Sequence, residues 1–369
     1  MSLAIAGMGW VTPLGRGINE VWNRLLRGDE AVAQPISTLE SRKSHRCFQI
    51  PTEALKNLPP HPRLRRASAI SRFAAAAGLD AIAEATLKID MSRLALVLAV
   101  SNGGVTYTKR FYHGIVESGA QSASPLLFPE TVFNAPASHL AAILGIEGES
   151  YTIVGDGAVG ILALKMASDL LETSDLESCL VVAAEEADWI LCDAYHKWRL
   201  IRSDPPVEPF CDPPRGTILS EGAGAVLLAR EGTVKIDAIS AGGNYYRRAA
   251  AAEILNRILT EFGCVAPWIV SSANGTFVDL AERAAINKRA QASIVYAPKA
   301  ALGESIGASA LWQVISAARA LQTSRLPPTL HACESAGVHL SGKSNESGAS
   351  AIILSCGLNQ QAAGLSLSV

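Results

Sequence analysis

Three short stretches of this 369-residue chain carry side chains whose type and spacing could do chemistry. Gly303-Glu304-Ser305-Ile306-Gly307 fits the G-x-S-x-G turn that presents a serine nucleophile at a strand-to-helix elbow. Such a serine needs an acid and a base. No Asp follows Ser305, and Glu334, His331 and His339 crowd into one downstream loop, so the context speaks against a hydrolase. Gly155-Asp156-Gly157 sets a carboxylate just ahead of an apolar helical run, where the helix dipole favours an acid whether or not it reacts. Asn274-Gly275-Thr276 reads as a loop held by its own hydrogen bonds. It fits a glycosylation sequon, as does Asn345-Glu346-Ser347, but without a secretory signal both read as chance. Gly7-Met8-Gly9 lacks the third glycine of a dinucleotide fingerprint.

Metal and redox chemistry find no pattern. The seven cysteines (Cys47, Cys179, Cys192, Cys211, Cys264, Cys333, Cys356) are scattered without a C-x-x-C pair and read as buried, reduced thiols of a cytoplasmic protein, with no metal and no cofactor expected. With 32 basic against 34 acidic residues, the chain shows no electrostatic footprint for nucleic acid. Met1 to Gly9 lacks the basic start of a signal peptide, and the longest apolar runs are strand-length, so no membrane span is expected. Apolar residues make up 49% of the chain and charged ones 18%, which excludes disorder as its main state and calls for a large core.

The elements that would position these stretches alternate. Apolar runs of strand length fall at 3–6, 94–100, 151–154, 179–184 and 223–228, then at 234–239, 268–271, 293–296 and 351–354. Helical stretches separate them, which argues for an α/β fold with strands covered on both faces. Two helices, about 157–171 and 305–321, are small and apolar around most of their circumference and should be enclosed by protein. Each is entered from a Gly-containing turn after a short strand, which suggests a duplicated fold with its central helices back to back. Glu231-Gly232 separates two strand-like runs, so the halves are set at 1–231 and 232–369. The stretch 34–66 reads as a surface excursion, and 202–216, with five prolines, as a second loop.

Several motifs, in order along nearly the whole chain, give it a resemblance to the β-ketoacyl synthases. Gly7 to Gly15 looks like that family's first strand and turn. Pro125, Pro129, Asn134, His139-Leu140, Gly145 and Gly148, leading into Tyr151-Thr152-Ile153, have the spacing seen before its nucleophile. Ser220 to Ala225, Pro298-Lys299 and Leu326 to Thr329 add further matches. The resemblance implies a thiolase-like, duplicated αβαβα layered fold. It also implies a reaction in which a Cys at a buried helix N-terminus carries the acyl chain while two histidines assist condensation. Carried over residue by residue, the Cys position falls on Gly155, the first His on Asn274 and the second on Glu304, so all three groups are absent. A one-residue slip would place Asp156 on the elbow, which is still no thiol. The loop after Asn274 is short, reaching Asp279 and Glu282 early, and the glycine- and phenylalanine-rich gate corresponds to Ser344 to Ser347, with no aromatic.

A ketosynthase fold without its reactive groups is similar to a chain-length factor, the inactive partner that forms a heterodimer with an active β-ketoacyl-ACP synthase and shapes its acyl tunnel. The resemblance therefore implies that synthase as partner, with an acyl carrier protein reached through the complex, and leans toward the aryl-polyene type. The stretch Gly103 to Tyr112 matches the tunnel end. Tyr107 and Phe111, four apart on an expected helix, can share one face, and Thr106, Tyr107, Arg110, Phe111, Phe133 and Asn134 are expected at the tunnel or dimer interface. Two other readings stay open: repurposed chemistry at Asp156, Glu304 or Ser305, and a homodimeric acyl-binding scaffold.

Overall fold

The run LALVLAV at 94–100 is apolar on both faces of a strand, so it must be covered from both sides. The computed structural model, which describes residues 3–36, 44–85, 87–263, 266–333, 336–342 and 348–369, buries that run in a large mixed sheet. The first part of the chain supplies β1 (Leu3–Thr12), β2 (Gly15–Arg16), β3 (Ala33–Ile36), β4 (His45–Phe48), β5 (Leu94–Val100), β6 (Ser150–Val154), β7 (Ser178–Glu185), β8 (Leu219–Ser220) and β9 (Gly222–Ala229). The second part supplies β10 (Val234–Asn244), β11 (Trp268–Val270), β12 (Ile294–Tyr296), β13 (Ser350–Cys356) and β14 (Gln361–Ser368).

Strand order displays the duplication directly. The large sheet runs β12-β11-β13-β14-β10-β1-β9-β7-β5-β6. Read outward from the β1·β10 contact, each side has its first strand, then its last, then its fourth, second and third, with two antiparallel pairings followed by two parallel ones. The two sides meet where Leu3 to Ile5 pair with Ile236 to Val234.

Among the described residues the helices are α1 (Ile18–Arg27), α2 (Ala69–Glu84), α3 (Val105–Ser118), α4 (Ala135–Leu144), α5 (Val159–Thr173), α6 (Trp189–Lys197), α7 (Ala251–Phe262), α8 (Phe277–Arg289), α9 (Lys299–Leu302) and α10 (Ser309–Thr323). Helices α5 and α10 touch each other and strands of both sides, so they form the central layer. Helix α2, backed by α4, covers the outer face of the first side, and α7 with α8 that of the second. The layers are those of the thiolase-like fold. Helix α10 is enclosed as expected, whereas α5 turns Lys165 and Asp169 outward as an i,i+4 pair.

Gly7 and Gly9 owe their type to packing. A Cβ on Gly9 would lie 2.1 Å from the Ala77 carbonyl oxygen, and one on Gly7 2.2 Å from that of Ala81, so α2 rests directly on the β1 backbone. The alanines at 74–77 permit the same approach from the helix side.

Several expectations need correction. The central helices begin later than the sequence pattern suggests, at Val159 and Ser309, because the residues before them are held in turns and in a bridge between Glu304 and Leu219. Strand β14 was not anticipated, because its Ala, Gly and Ser residues mute the alternation. Cys211 and Cys333 are joined as a disulfide, with Cα atoms 5.2 Å apart, so the expectation of reduced thiols fails for this pair. Their separation of 122 residues gave no hint that the two loops converge. Cys47, Cys179, Cys192 and Cys356 are free and buried. The expected gate, Ser344 to Ser347, together with Cys264 and Glu334, lies outside the described residues. No helix among the described residues is long and apolar enough to cross a membrane.

The Gly9 contact yields a test. Gly9→Val should lower stability by about 3 kcal/mol or more, read as a fall in urea midpoint, because backbone on both sides cannot yield as a side chain would.

Candidate functional site

The loop after β11 is shaped by two carboxylates reaching back from α8. Asp279 accepts hydrogen bonds from the backbone N–H groups of Asn274 (2.8 Å), Gly275 (2.9 Å) and Phe210 (2.7 Å). Glu282, one turn on, accepts from the Ser272 N–H at 3.0 Å and from the Ser271 and Ser272 hydroxyls. Thr276 caps the helix, its side chain accepting from the Val278 N–H at 3.4 Å. The early arrival of Asp279 and Glu282, visible in the sequence, is thus what ties this loop down.

Held this way, Asn274 reaches Glu304. Its Nδ2 donates to Glu304 Oε2 at 2.6 Å, and Lys299 Nζ donates to the same oxygen at 2.6 Å. The Asn274 Oδ1 accepts from the Thr276 hydroxyl at 2.6 Å. Glu304 is fixed by its backbone as well, its N–H donating to Ile218 O and its carbonyl accepting from the Ser220 N–H, each at 2.9 Å. It therefore sits in a bridged loop ahead of α10 rather than in a helix. Asn274, Lys299 and Glu304 are at most 2% exposed, so solvent does not reach the cluster. Glu304 Oε1 and Ser305 Oγ have no hydrogen-bond partner among the described residues.

The strand-to-helix turn at 155–158 makes no hydrogen bond to this cluster among the described residues. Gly155 ends β6, its N–H donating to Val100 O at 3.1 Å, and a Cβ there would come within 2.9 Å of Val159. Asp156 turns its carboxylate to the β13–β14 turn, accepting from the backbone N–H groups of Asn359 (2.9 Å) and Gln360 (3.0 Å). Gly157 is buried beneath the same turn, where a Cβ would stand 2.9 Å from Gly357 Cα. No residue of the turn offers a side chain to Asn274 or Glu304. Ser305 fares no better as a nucleophile: it is fully buried, and His331 pairs with Glu30 at 2.6 Å on the surface.

The first part of the chain, residues 2–233, matches the β-ketoacyl synthase N-terminal domain, and residues 237–333 match the C-terminal domain. The chain belongs to the β-ketoacyl synthase family. It is 22% identical over 365 residues to 3-oxoacyl-[acyl-carrier-protein] synthase 2 of Vibrio harveyi, covering 89% of this chain and 88% of that one. It is 24% identical to the enzyme of the same name from Coxiella burnetii, again over 89% of this chain and 88% of that one. Among solved structures it superposes with a TM-score of 0.86 on the ishigamide ketosynthase/chain length factor, at 19% identity, covering 100% of this chain and 99% of that one. A ketosynthase in complex with its chain length factor from Xenorhabdus doucetiae gives a TM-score of 0.84 at 18% identity, covering 100% and 98%.

In this ketosynthase-family chain, α3 and the segment after it carry the residues expected at a tunnel or interface. The Tyr107 hydroxyl donates to Arg66 O at 3.0 Å, and the Arg110 guanidinium lies 5.5 Å from the Tyr107 ring centre. Phe111 packs instead on Tyr112 and Phe128, so the two rings have different neighbours. The Thr106 N–H donates to Glu186 Oε1 at 2.7 Å. Phe133 is exposed, its ring beside Gly103, and the exposed Asn134 precedes α4.

Sequence reasoning missed a row of buried acids at the end of β7. Glu185 accepts from the N–H groups of Ser101 (3.1 Å), Asn102 (3.3 Å) and Gly307 (3.2 Å), joining the root of α3 to the Glu304 loop. Burial outweighs these bonds and, with Glu186 adjacent, pushes its carboxyl up to about 8. Burial likewise raises Glu186 to about 7, Glu282 to about 7 and Asp279 to about 6. Glu130 goes the other way. Its burial is overcome by hydrogen bonds from His139 and Ser68, which hold it down at about 2. The signal was available: paired acids directly after an apolar strand must be either buried or turned abruptly outward.

Two measurements follow. Lys299→Met leaves a buried carboxylate without its cation and should cost roughly 3–5 kcal/mol in urea unfolding, while Lys299→Met with Glu304→Leu should recover most of it. For pH, carboxyls that hold their proton in the folded chain beyond the ordinary 4.5 stabilise it fully below that value and lose the contribution as pH rises toward about 8. Glu130 stabilises above 4.5 and ceases to as pH falls toward about 2. Urea midpoints should therefore peak near about pH 5 and fall toward pH 8, with Glu185→Gln flattening the upper limb.

Proposed function

We propose that this chain is a non-condensing ketosynthase subunit, a chain-length factor that pairs with an active β-ketoacyl-ACP synthase in the cytoplasm and shapes its acyl tunnel. The observation that carries the reading is the sealed Asn274–Glu304–Lys299 cluster. Condensation needs a thiol and two imidazoles with access for a thioester. Where the family resemblance places those groups, this chain has Gly155, Asn274 and Glu304. A carboxylate locked to an ammonium and an amide is poorly suited to take or give a proton. The same reading holds if the nucleophile position is Gly157 rather than Gly155, since the turn above leaves no space for a side chain there.

A partner is supported by the open end of the sheet. Strand β6 is the last in its order, and Tyr151 and Val154 on it are exposed. Tyr112, Val116, Leu126, Phe128 and Phe133 add large exposed apolar groups from α3 and the 120–134 segment. An unpaired, apolar strand edge is a surface that folded proteins normally cover. A second strand edge of matching character would extend the sheet and bury these side chains together. In that arrangement Thr106, Tyr107, Arg110 and Phe111 would sit at or near the joint, with the acyl carrier protein engaging through the catalytic partner. Repurposed chemistry draws less support, because Asp156 is committed to the 359–360 backbone and Ser305 has no base.

The test is co-expression with an intact ketosynthase encoded beside it, tagging only this chain, followed by native mass determination and elongation assays. We expect a 1:1 complex whose activity survives Asp156→Asn and is lost with the complex on Val154→Asp. Tyr107→Ala should shift product length without changing complex formation. A homodimer that ignores the ketosynthase, or elongation by this chain alone that Asp156→Asn abolishes, would overturn the reading.

A further inference from the structure

A groove of about 500 Å³ is lined by no residue of the Glu304 cluster or of β6. Its walls come from the segment between Leu55 and Leu64 and from the first turn of α2. Leu55, Leu58 and Leu64 line it together with Pro59, Pro60, His61 and Pro62, and Arg65 and Arg72 bring it two guanidinium groups. Among the described residues no acid lines it. The larger groove beside β1 differs in this respect, since Arg16 and Arg24 there face Glu20, Asp80 and Glu84.

The arginines are underused. Arg72 donates one long hydrogen bond, 3.3 Å, to Leu64 O, its Nε has no partner, and no carboxylate pairs with it among the described residues. Arg65 is exposed and likewise forms no ion pair there. A guanidinium that is half-buried beside apolar walls, with N–H groups to spare, favours an anionic oxygen more than one in open water does. The three prolines restrict the wall's backbone before anything binds, so little ordering cost remains for a ligand.

We infer that this groove binds a small amphipathic monocarboxylate, an unbranched apolar chain laid along the leucines and prolines with its carboxylate on Arg72 and Arg65. The size suits such a ligand, as it falls within the range of ordinary small-molecule pockets. The inference does not depend on the proposed subunit role, since neither the strand edge nor the sealed cluster contributes to the groove.

The test uses the full chain, alone and in any complex it forms, with displacement of the fluorescent acid 11-(dansylamino)undecanoate by decanoate, decanol and decyltrimethylammonium, all below micellar concentration. Decanoate should displace the probe at about a tenfold lower concentration than decanol, the worth of one charge-assisted contact, and the ammonium should be weakest. Arg72→Gln should weaken decanoate about tenfold and leave decanol unchanged. Should Arg72→Gln fail to fold, Arg65→Gln on the surface and Leu58→Asp in the wall serve instead, the first removing selectivity and the second removing binding. Equal affinity for acid, alcohol and ammonium, or probe binding that survives Leu58→Asp, would overturn the inference. So would displacement by an acidic peptide as effective as by decanoate, which would assign the groove to a protein partner.

Discussion

A carboxylate and an ammonium that are both out of water hold each other in place, because removing either leaves a charge with nowhere to go. Lys299 and Glu304 are such a pair, and much of the surrounding architecture serves them. Glu304 is locked by backbone hydrogen bonds to the strand segment 218–220, Lys299 begins α9, and Asn274 is delivered by a loop that Asp279 and Glu282 pin to α8. Three segments, 218–220, 272–282 and 299–304, therefore share one electrostatic requirement. The cluster is buried and hydrogen-bonded, and so holds these segments in one arrangement.

The buried acids extend that logic outward. Glu185 links the β5–α3 turn to Gly307, so the helix bearing Thr106 and Tyr107 is anchored to the same loop as Glu304. Its carboxyl keeps a proton at neutral pH, which reduces the charge that the core must accommodate. The β5–α3 turn and the loop that carries Glu304 are consequently parts of one framework, joined by Glu185 through hydrogen bonds of 3.1–3.3 Å to backbone.

Much of this was legible beforehand. Fully apolar runs such as 94–100 and 179–184 announced buried parallel strands, and two small apolar helices announced a duplicated centre. The sequence singled out Asn274 and Glu304 in separate motifs, and the structure brings those two residues into direct contact. What could not be read shares a physical cause. Strand β14 uses Ala, Gly and Ser, whose burial depends on neighbours rather than on their own hydrophobicity. The Cys211–Cys333 bond and the Glu185 contacts join segments far apart in sequence, which no local pattern encodes. The turn at 155–158 was located correctly, yet the direction of the Asp156 side chain depended on the 359–360 backbone arriving from the other half.

The repeated strand order also has a temporal side. Of these strands β1 is synthesised first, but apart from the two-residue β2, which pairs only with Val11 and Thr12, its neighbours in the sheet are β9 and β10, both made only after the central helix α5. In each half the strand made last is inserted between the first and the fourth, so neither half-sheet can close by growing outward as the chain emerges. The nascent chain must carry most of β1, all but its β2-paired end, with both edges unpaired for most of the first half's synthesis. Contacts of such long range slow folding and prolong exposure of apolar strands. For this architecture the vulnerable interval is during translation, and slow elongation around β9 would lengthen it.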